Sequence, residues 1–285
     1  MQAQDYAGAL WGIGLRSDAK RSDVEGAISR GEIVRTWPMR GTLHFVTAKD
    51  ARWITKMLAP RVIKRAGARH RSLDLDDKTF ARAEKILSRA LAGGKSLTRP
   101  EAYATLARNE IAPDGQRGIH VLANLSMRGV LCIGPHRGKQ PAFVLCDEWL
   151  PKSRGLEGDE ALGELARRYF TSHGPATERD FSWWTGLNLG EARRAIDIAG
   201  KIAMPRAPVA KMAALLPPFD EYTVAYRDRS AIGLPEGVAS LMAPIVLIDG
   251  KYANTWRRSG SKAITDVKPT PLVRDAIERF HAFTK

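Results

Sequence analysis

Apolar residues recur at helical spacing through the middle of the chain. Phe80, Ala83, Leu87 and Leu91 fall three or four residues apart, and Gly93-Gly94 follows as a stop. Thr98-Arg99-Pro100-Glu101 then supplies an N-cap hydroxyl, a proline tolerated in the first turn and a glutamate placed to close a capping box, which predicts a second helix through Leu106. Ile119, Leu122 and Leu125 mark a third helix ending near Arg128-Gly129. Two short β-runs, 130–133 and 142–146, flank the basic, Gly- and Pro-containing loop 134–141. Three helices and a hairpin with a basic tip predict a winged helix.

The same order returns twice, less completely. Downstream, Leu162, Leu165, Tyr169 and Phe170 mark an amphipathic helix, Thr177 with Asp180 caps a second, and Asn188 with Glu191 caps a third. Upstream, Ser22 and Glu25 are placed to cap a helix carrying Val24 and Ile28, with Gly31 as its stop. A hairpin follows, with strands 33–37 and 42–46 around Pro38-Met39-Arg40-Gly41, and the first helix of this copy is expected to be missing. From about Pro205 the pattern turns to β, with runs at 223–226, 245–248 and 252–256 and the hairpin signal Asp249-Gly250 between the last two. The expected fold class is α+β: three tandem winged-helix units, the first N-terminally incomplete, with a β-rich C-terminal module. The expected divisions are 1–76, 77–152, 153–204 and 205–285.

Charge adds a partner to this outline. Lys and Arg number 45 against 31 Asp and Glu, a formal net charge of +14, so the summed field attracts polyanions, and double-stranded DNA is the leading candidate. The two cysteines, Cys132 and Cys146, each lie in a short apolar run and read as strand-core thiols in a reducing compartment. No stretch has signal-peptide form or the length of a membrane span, so a cytoplasmic monomer without membrane association is expected.

Candidate chemistry narrows the picture chiefly by exclusion. The six histidines do not combine with cysteines or carboxylates at ligand spacing, so no metal is expected. The loop 134–139 is one residue short of a phosphate loop and has Gln140 where Ser or Thr should follow Lys139, so no nucleotide cofactor is expected. Asp220-Glu221 stand beside the run at 223–226. In an extended segment they point to opposite faces, so a structural turn is preferred over an acid/base pair. Basic residues cluster at Arg40 in the first hairpin, Arg137 and Lys139 in the second, Arg193 on the last helix, and Arg227, Arg229, Arg257 and Arg258 in the β module. Spread over similar units they fit a basic groove that neutralises several phosphates.

The segment Gln2-Ala3-Gln4-Asp5 and the block from Val34 through Thr47, including Arg40 and His44, resemble the AlkZ-type tandem winged-helix DNA glycosylases. So do Phe219-Asp220-Glu221-Tyr222, Tyr226 through Ser230 and Thr255-Trp256-Arg257-Arg258. The resemblance implies a C-shaped array lining a basic channel, hydrolysis of the N-glycosidic bond of N-alkylated purines, and in some members unhooking of interstrand cross-links. It implies no cofactor. Its signature is Gln, an aliphatic residue and Gln, which puts Gln2 and Gln4 in the catalytic positions. It also sets that signature some way into the first winged helix, beyond an opening helix. The alternative is a non-catalytic winged-helix DNA-binding protein or transcription regulator.

Overall fold

A computed structural model describes residues 1–152, 155–203, 211–235 and 243–285. In it the chain forms two compact units, one made of Met1–Gly26 with Leu162–Lys285 and the other of Ala27–Ala161. In chain order the elements begin with α1 (Tyr6–Ser17), α2 (Arg21–Ser29), β1 (Ile33–Met39), β2 (Thr42–Thr47), α3 (Ala48–Arg65) and α4 (Gly67–Ser72). Next come α5 (Asp77–Leu91), β3 (Leu97–Thr98), α6 (Arg99–Ala107), α7 (Arg117–Met127), β4 (Leu131–Arg137), β5 (Gln140–Leu145) and α8 (Cys146–Trp149). The rest are α9 (Gly158–His173), α10 (Glu178–Thr185), α11 (Leu189–Ala199), β6 (Ala213–Leu216), α12 (Glu221–Val224), β7 (Ile245–Ile248), β8 (Lys251–Ser259), β9 (Lys262–Thr265) and α13 (Pro271–Thr284).

The unit of residues 27–161 is built on a five-stranded antiparallel sheet in the order β2-β1-β4-β5-β3. Both expected hairpins form, and a bridge between Arg35 and Ile133 joins them into that one sheet. Helix α5 buries Phe80, Ala83, Leu87 and Leu91, the residues whose spacing predicted it. They pack with Leu106, Leu122, Leu125 and the sheet residues Trp37, Ile133 and Phe143. Thr98 and Glu101 close the capping box at the start of α6. The second hairpin is longer than its apolar runs suggested: pairing continues to Arg137 and Gln140, leaving Gly138-Lys139 as a two-residue turn with Gly138 at φ 62°. Cys132 and Cys146 are free and buried, and Cys146 opens α8 rather than ending a strand.

The other unit pairs helices with a four-stranded antiparallel sheet in the order β6-β7-β8-β9. Capping boxes at Thr177/Asp180 and Asn188/Glu191 start α10 and α11 as expected. Asp249 and Gly250, at φ 50° and 77°, make the turn between β7 and β8. Several expectations need correction. Helix α1 spans residues where none was expected, so two helices precede the first hairpin. Ser22 does not cap α2, which starts at Arg21 with the Asp23 carboxylate accepting from Lys20 N. The run 223–226 is not a strand, because Asp220 caps a helical turn over Glu221–Val224. The C-terminal stretch closes with the helix α13, capped by Thr270 and opened by Pro271. Pro205 lies outside the described residues.

Candidate active site

Residues 1–5 lie directly on α1, and glycines make this approach possible. A methyl group on Gly8 would stand 2.7 Å from Asp5 Oδ2 and 3.0 Å from Pro217 Cβ. One on Gly12 would stand 3.1 Å from the Met1 methyl carbon and 3.5 Å from Asp220 Oδ2. Gly8 and Gly12, four residues apart, share one helix face, so that face receives both the segment with the two glutamines and the 217–221 loop. Gln2 is buried, at 7% exposure, Ala3 is fully buried, and the half-buried Gln4 has its side-chain oxygen shielded from solvent.

Close to this segment runs a network of polar groups centred on the buried Asp220 and the largely buried Glu221. Arg16, at the end of α1, donates to both oxygens of Asp220 at 2.9 and 2.7 Å, and the Asp220 carboxylate also accepts from Tyr222 N at 2.8 Å. Asp220 is therefore an N-cap and an ion-pair partner, which agrees with its structural reading, although the local backbone is a helix start rather than an extended segment. Glu221 accepts from Trp184 Nε1 at 2.6 Å, with His173 Nε2 at 3.4 Å and the Met1 amino group at 3.8 Å. Burial works to raise the Glu221 carboxyl, but the amino group, His173 and the Trp184 indole together hold it well below the usual carboxylate range. The His173 ring stacks on Tyr169 at 4.7 Å. Trp11 and Trp256 donate to the carbonyls of Leu215 and Leu216, tying α1 and β8 to β6.

The basic candidates of this unit fall into distinct settings. Arg257 and Arg258 are exposed on β8 and border a 230 Å³ cavity with Asp5, Trp11, Trp256 and Phe280, so they stand near the glutamine segment. Arg227 is exposed at a 760 Å³ cavity whose walls include Arg179, Asp180, Tyr222 and Tyr226. Arg229 is half-buried, donating to Thr223 O at 2.6 Å with its guanidinium 5.3 Å from the centre of the Trp183 ring. Arg193 is paired with Glu178 at 2.7 Å.

In the unit of residues 27–161, Arg40 takes a left-handed backbone at φ 56° in the first hairpin turn. Its Nη2 lies 3.4 Å from His44 Nε2, and His44 Nδ1 is 2.9 Å from Thr42 O, so Nδ1 carries the proton and Nε2 faces the guanidinium. His44 is buried. Arg137 is held by Glu101 at 2.6 Å, while Lys139 is exposed at the tip of the second hairpin.

The description "DNA glycosylase AlkZ-like" belongs to a family model that matches residues 1–283. The chain belongs to the AlkZ-like DNA glycosylase family. As an AlkZ-like glycosylase it is a hydrolase of N-glycosyl bonds. It is 26% identical over 303 residues to an interstrand DNA cross-link repair glycosylase of Streptomyces sahachiroi, covering 90% of this chain and 79% of that one. The solved structure of Streptomyces sahachiroi DNA glycosylase AlkZ matches with a TM-score of 0.78 at 23% identity, over 100% of this chain and 88% of that one. That likeness carries the fold. Among the described residues no helix is long and apolar enough to cross a membrane.

Sequence reasoning missed Arg16, His173 and Trp184. No local signal could have found them, since Arg16 meets its carboxylate across 204 positions and Trp184 across 37.

Proposed function

We propose that this AlkZ-like chain is a monofunctional glycosylase that removes N-alkylated purines, N7-alkylguanine and interstrand cross-links included, from double-stranded DNA, with Gln2 and Gln4 as its catalytic residues. The supporting observation is that the segment holding the glutamines packs on α1, with Met1 against Gly12, and buries Gln2 and Ala3, whereas polar residues with no task would stand in solvent. The name of the Streptomyces relative supports a cross-linked substrate.

An N7-alkylated purine is cationic, so the bond from C1′ to N9 breaks with its electron pair passing to the purine, which leaves neutral. The sugar becomes oxocarbenium-like, and a water oxygen bonds to C1′ while its proton goes to bulk solvent. Gln4 holds that water and Gln2 orients the sugar or the adduct, since an amide can position water without being a strong base. No metal or cofactor enters this chemistry, and a bulky lesion reached in the groove need not be extruded. The fold reading is three tandem winged helices in a monomer, the hairpins acting as wings. Arg40, Arg137, Lys139, Arg193, Arg227, Arg229, Arg257 and Arg258 form the DNA-contacting set, with the buried His44 acting through Arg40. Of these, Arg137 and Arg193 exchange an exposed carboxylate for phosphate, and Arg229 acts through the Trp183 ring.

The test is release of N7-methylguanine from a duplex by the wild type and by Gln4→Ala. Loss of release in the variant with retained binding supports the reading. Release unaffected by the substitution removes Gln4 from the mechanism, and sequence-selective binding without any release favours a regulator.

A further inference from the structure

The stretch 51–73 carries Arg52, Lys56, Arg61, Lys64, Arg65, Arg69 and Arg71 and no acid. It covers most of α3 and all of α4. Lys64, Arg65, Arg69 and Arg71 are exposed and follow one another around the elbow where α3 passes into α4. Several exposed arginines elsewhere are neutralised: Arg82, Arg137, Arg193 and Arg279, like the less exposed Arg52, each bond a carboxylate at 2.6–2.9 Å. At the elbow, among the described residues, no carboxylate does so, and Arg69 instead donates to the neutral Gln116 at 2.8 Å. A cation in the last turn of each helix is explained by the helix dipole. Four within eight residues, with every acid excluded, are not.

A second feature adjoins the elbow. Lys64 also borders a 710 Å³ cleft between α3 and α7, whose other cations are Arg52, Lys56 and Arg128. Arg52, Lys56 and Lys64 form one row along α3, spaced by four and eight residues, or about 6 and 12 Å along the helix axis. Glu157 and Asp147, which hold Lys56 and Arg52, are 69% and 89% exposed. Exposed pairs of this kind are weak and exchange readily for another anion. The cleft thus adjoins the elbow with three further cations, each held by a carboxylate, Arg128 by Glu84 at 3.6 Å.

We infer that the α3–α4 elbow, with Lys64, Arg65, Arg69 and Arg71, is an additional contact surface for the DNA phosphate backbone, outside the set of basic residues assigned above. This rests on the reading that the chain binds double-stranded DNA. The surface presents charge and no base-reading geometry, so it adds affinity without sequence preference and leaves the hydrolytic step alone.

The experiment compares the triple variant Lys64→Gln, Arg65→Gln, Arg71→Gln with a control triple on exposed α5 positions, Lys78→Gln, Lys85→Gln, Arg89→Gln, which removes the same charge. Affinity for an undamaged duplex is measured across a salt series. The logarithmic slope is expected to fall by about 0.9 per lost phosphate contact, so by about 2.7 for the elbow triple, with little change in the control. Restoring lysine at positions 65 and 71 should recover most of the slope, which separates lost charge from lost folding. Equal slopes in both triples, or no duplex binding by the wild type, overturn the inference. Single-turnover base release at saturating DNA should match the wild type. A wild type that releases no base, together with the slope difference, would sink the glycosylase reading and leave the elbow standing.

Discussion

Arg16 and Asp220 form a two-pronged ion pair, at 2.9 and 2.7 Å, between residues 204 positions apart, with the Asp220 side chain fully buried. The pair ties the helix that carries the glutamine segment to the loop entering α12. Arg16→Met leaves a buried carboxylate without its cation. Removing one partner of a fully buried pair costs about 3–5 kcal/mol, and because the guanidinium is partly in water the expected loss is nearer about 2 kcal/mol. Asp220→Asn keeps an acceptor for Tyr222 N and should cost less. Urea midpoints at constant m-value measure both, and equal losses would show that the charge is unimportant.

Gly8→Ala separates stability from activity. Alanine favours a helix interior over glycine by about 1 kcal/mol. The new methyl group would nevertheless sit 3.0 Å from Pro217 Cβ and 2.7 Å from Asp5 Oδ2. Asp5 can swing aside, but the proline cannot, so α1 and the Pro217 loop must move apart, and the glutamine segment that precedes α1 shifts with it. A displacement near 1 Å can cost about 100-fold in rate. The expected outcome is a melting temperature near that of the wild type with a large fall in single-turnover base release. A variant as active as the wild type would show that the close approach has no bearing on the chemistry.

Gln4→Ala should lower base release by about 100-fold or more, the scale seen when one oriented polar group is removed from a transition state. Gln2→Ala should act in the same direction. Duplex affinity should be almost unaffected in both, since neither side chain carries charge. Base release and filter binding on the same preparations test this.

His70 is buried beside Phe80 and His120, and burial, with the neighbouring His120, depresses its pKa below the ordinary 6.5. His120 is depressed as well, by burial and then Arg69. The folded protein keeps these rings neutral, whereas the unfolded chain takes up protons near 6.5. Their contribution is complete above that value and is lost progressively as pH falls through the depressed pKa. Melting temperature followed from pH 8 to pH 5 should decline in the wild type and decline less in His70→Gln. Parallel curves would refute the assignment.

Short-range chemistry explains which parts of the fold were legible in the sequence. Thr98/Glu101, Thr177/Asp180 and Asn188/Glu191 are caps whose partners lie three residues away, and all three form. Asp249-Gly250 makes its hairpin because both residues accept a positive φ. Helix α1 escaped notice because Gly8, Gly12 and Gly14 depress its propensity, while Gly8 and Gly12 also let residues 1–5 pack closely. Around α12, Thr223 and Val224 favour a strand, yet capping by Asp220 overrides them. Gln2 and Gln4 were visible only through family resemblance. Arg16 and Trp184 were invisible because their partners are set by tertiary packing.

The chain leaves the first unit after Gly26 and re-enters it at Leu162. During synthesis, residues 27–161 can complete their five-stranded sheet while α1 still lacks β6 and α13, the elements it packs against. Gln2 and Gln4 precede residues 27–161 in the chain but gain their final setting only once β6 and α13 have been made. On the catalytic roles proposed for these glutamines, the nascent chain is expected to stay silent until α13 has been made and docked.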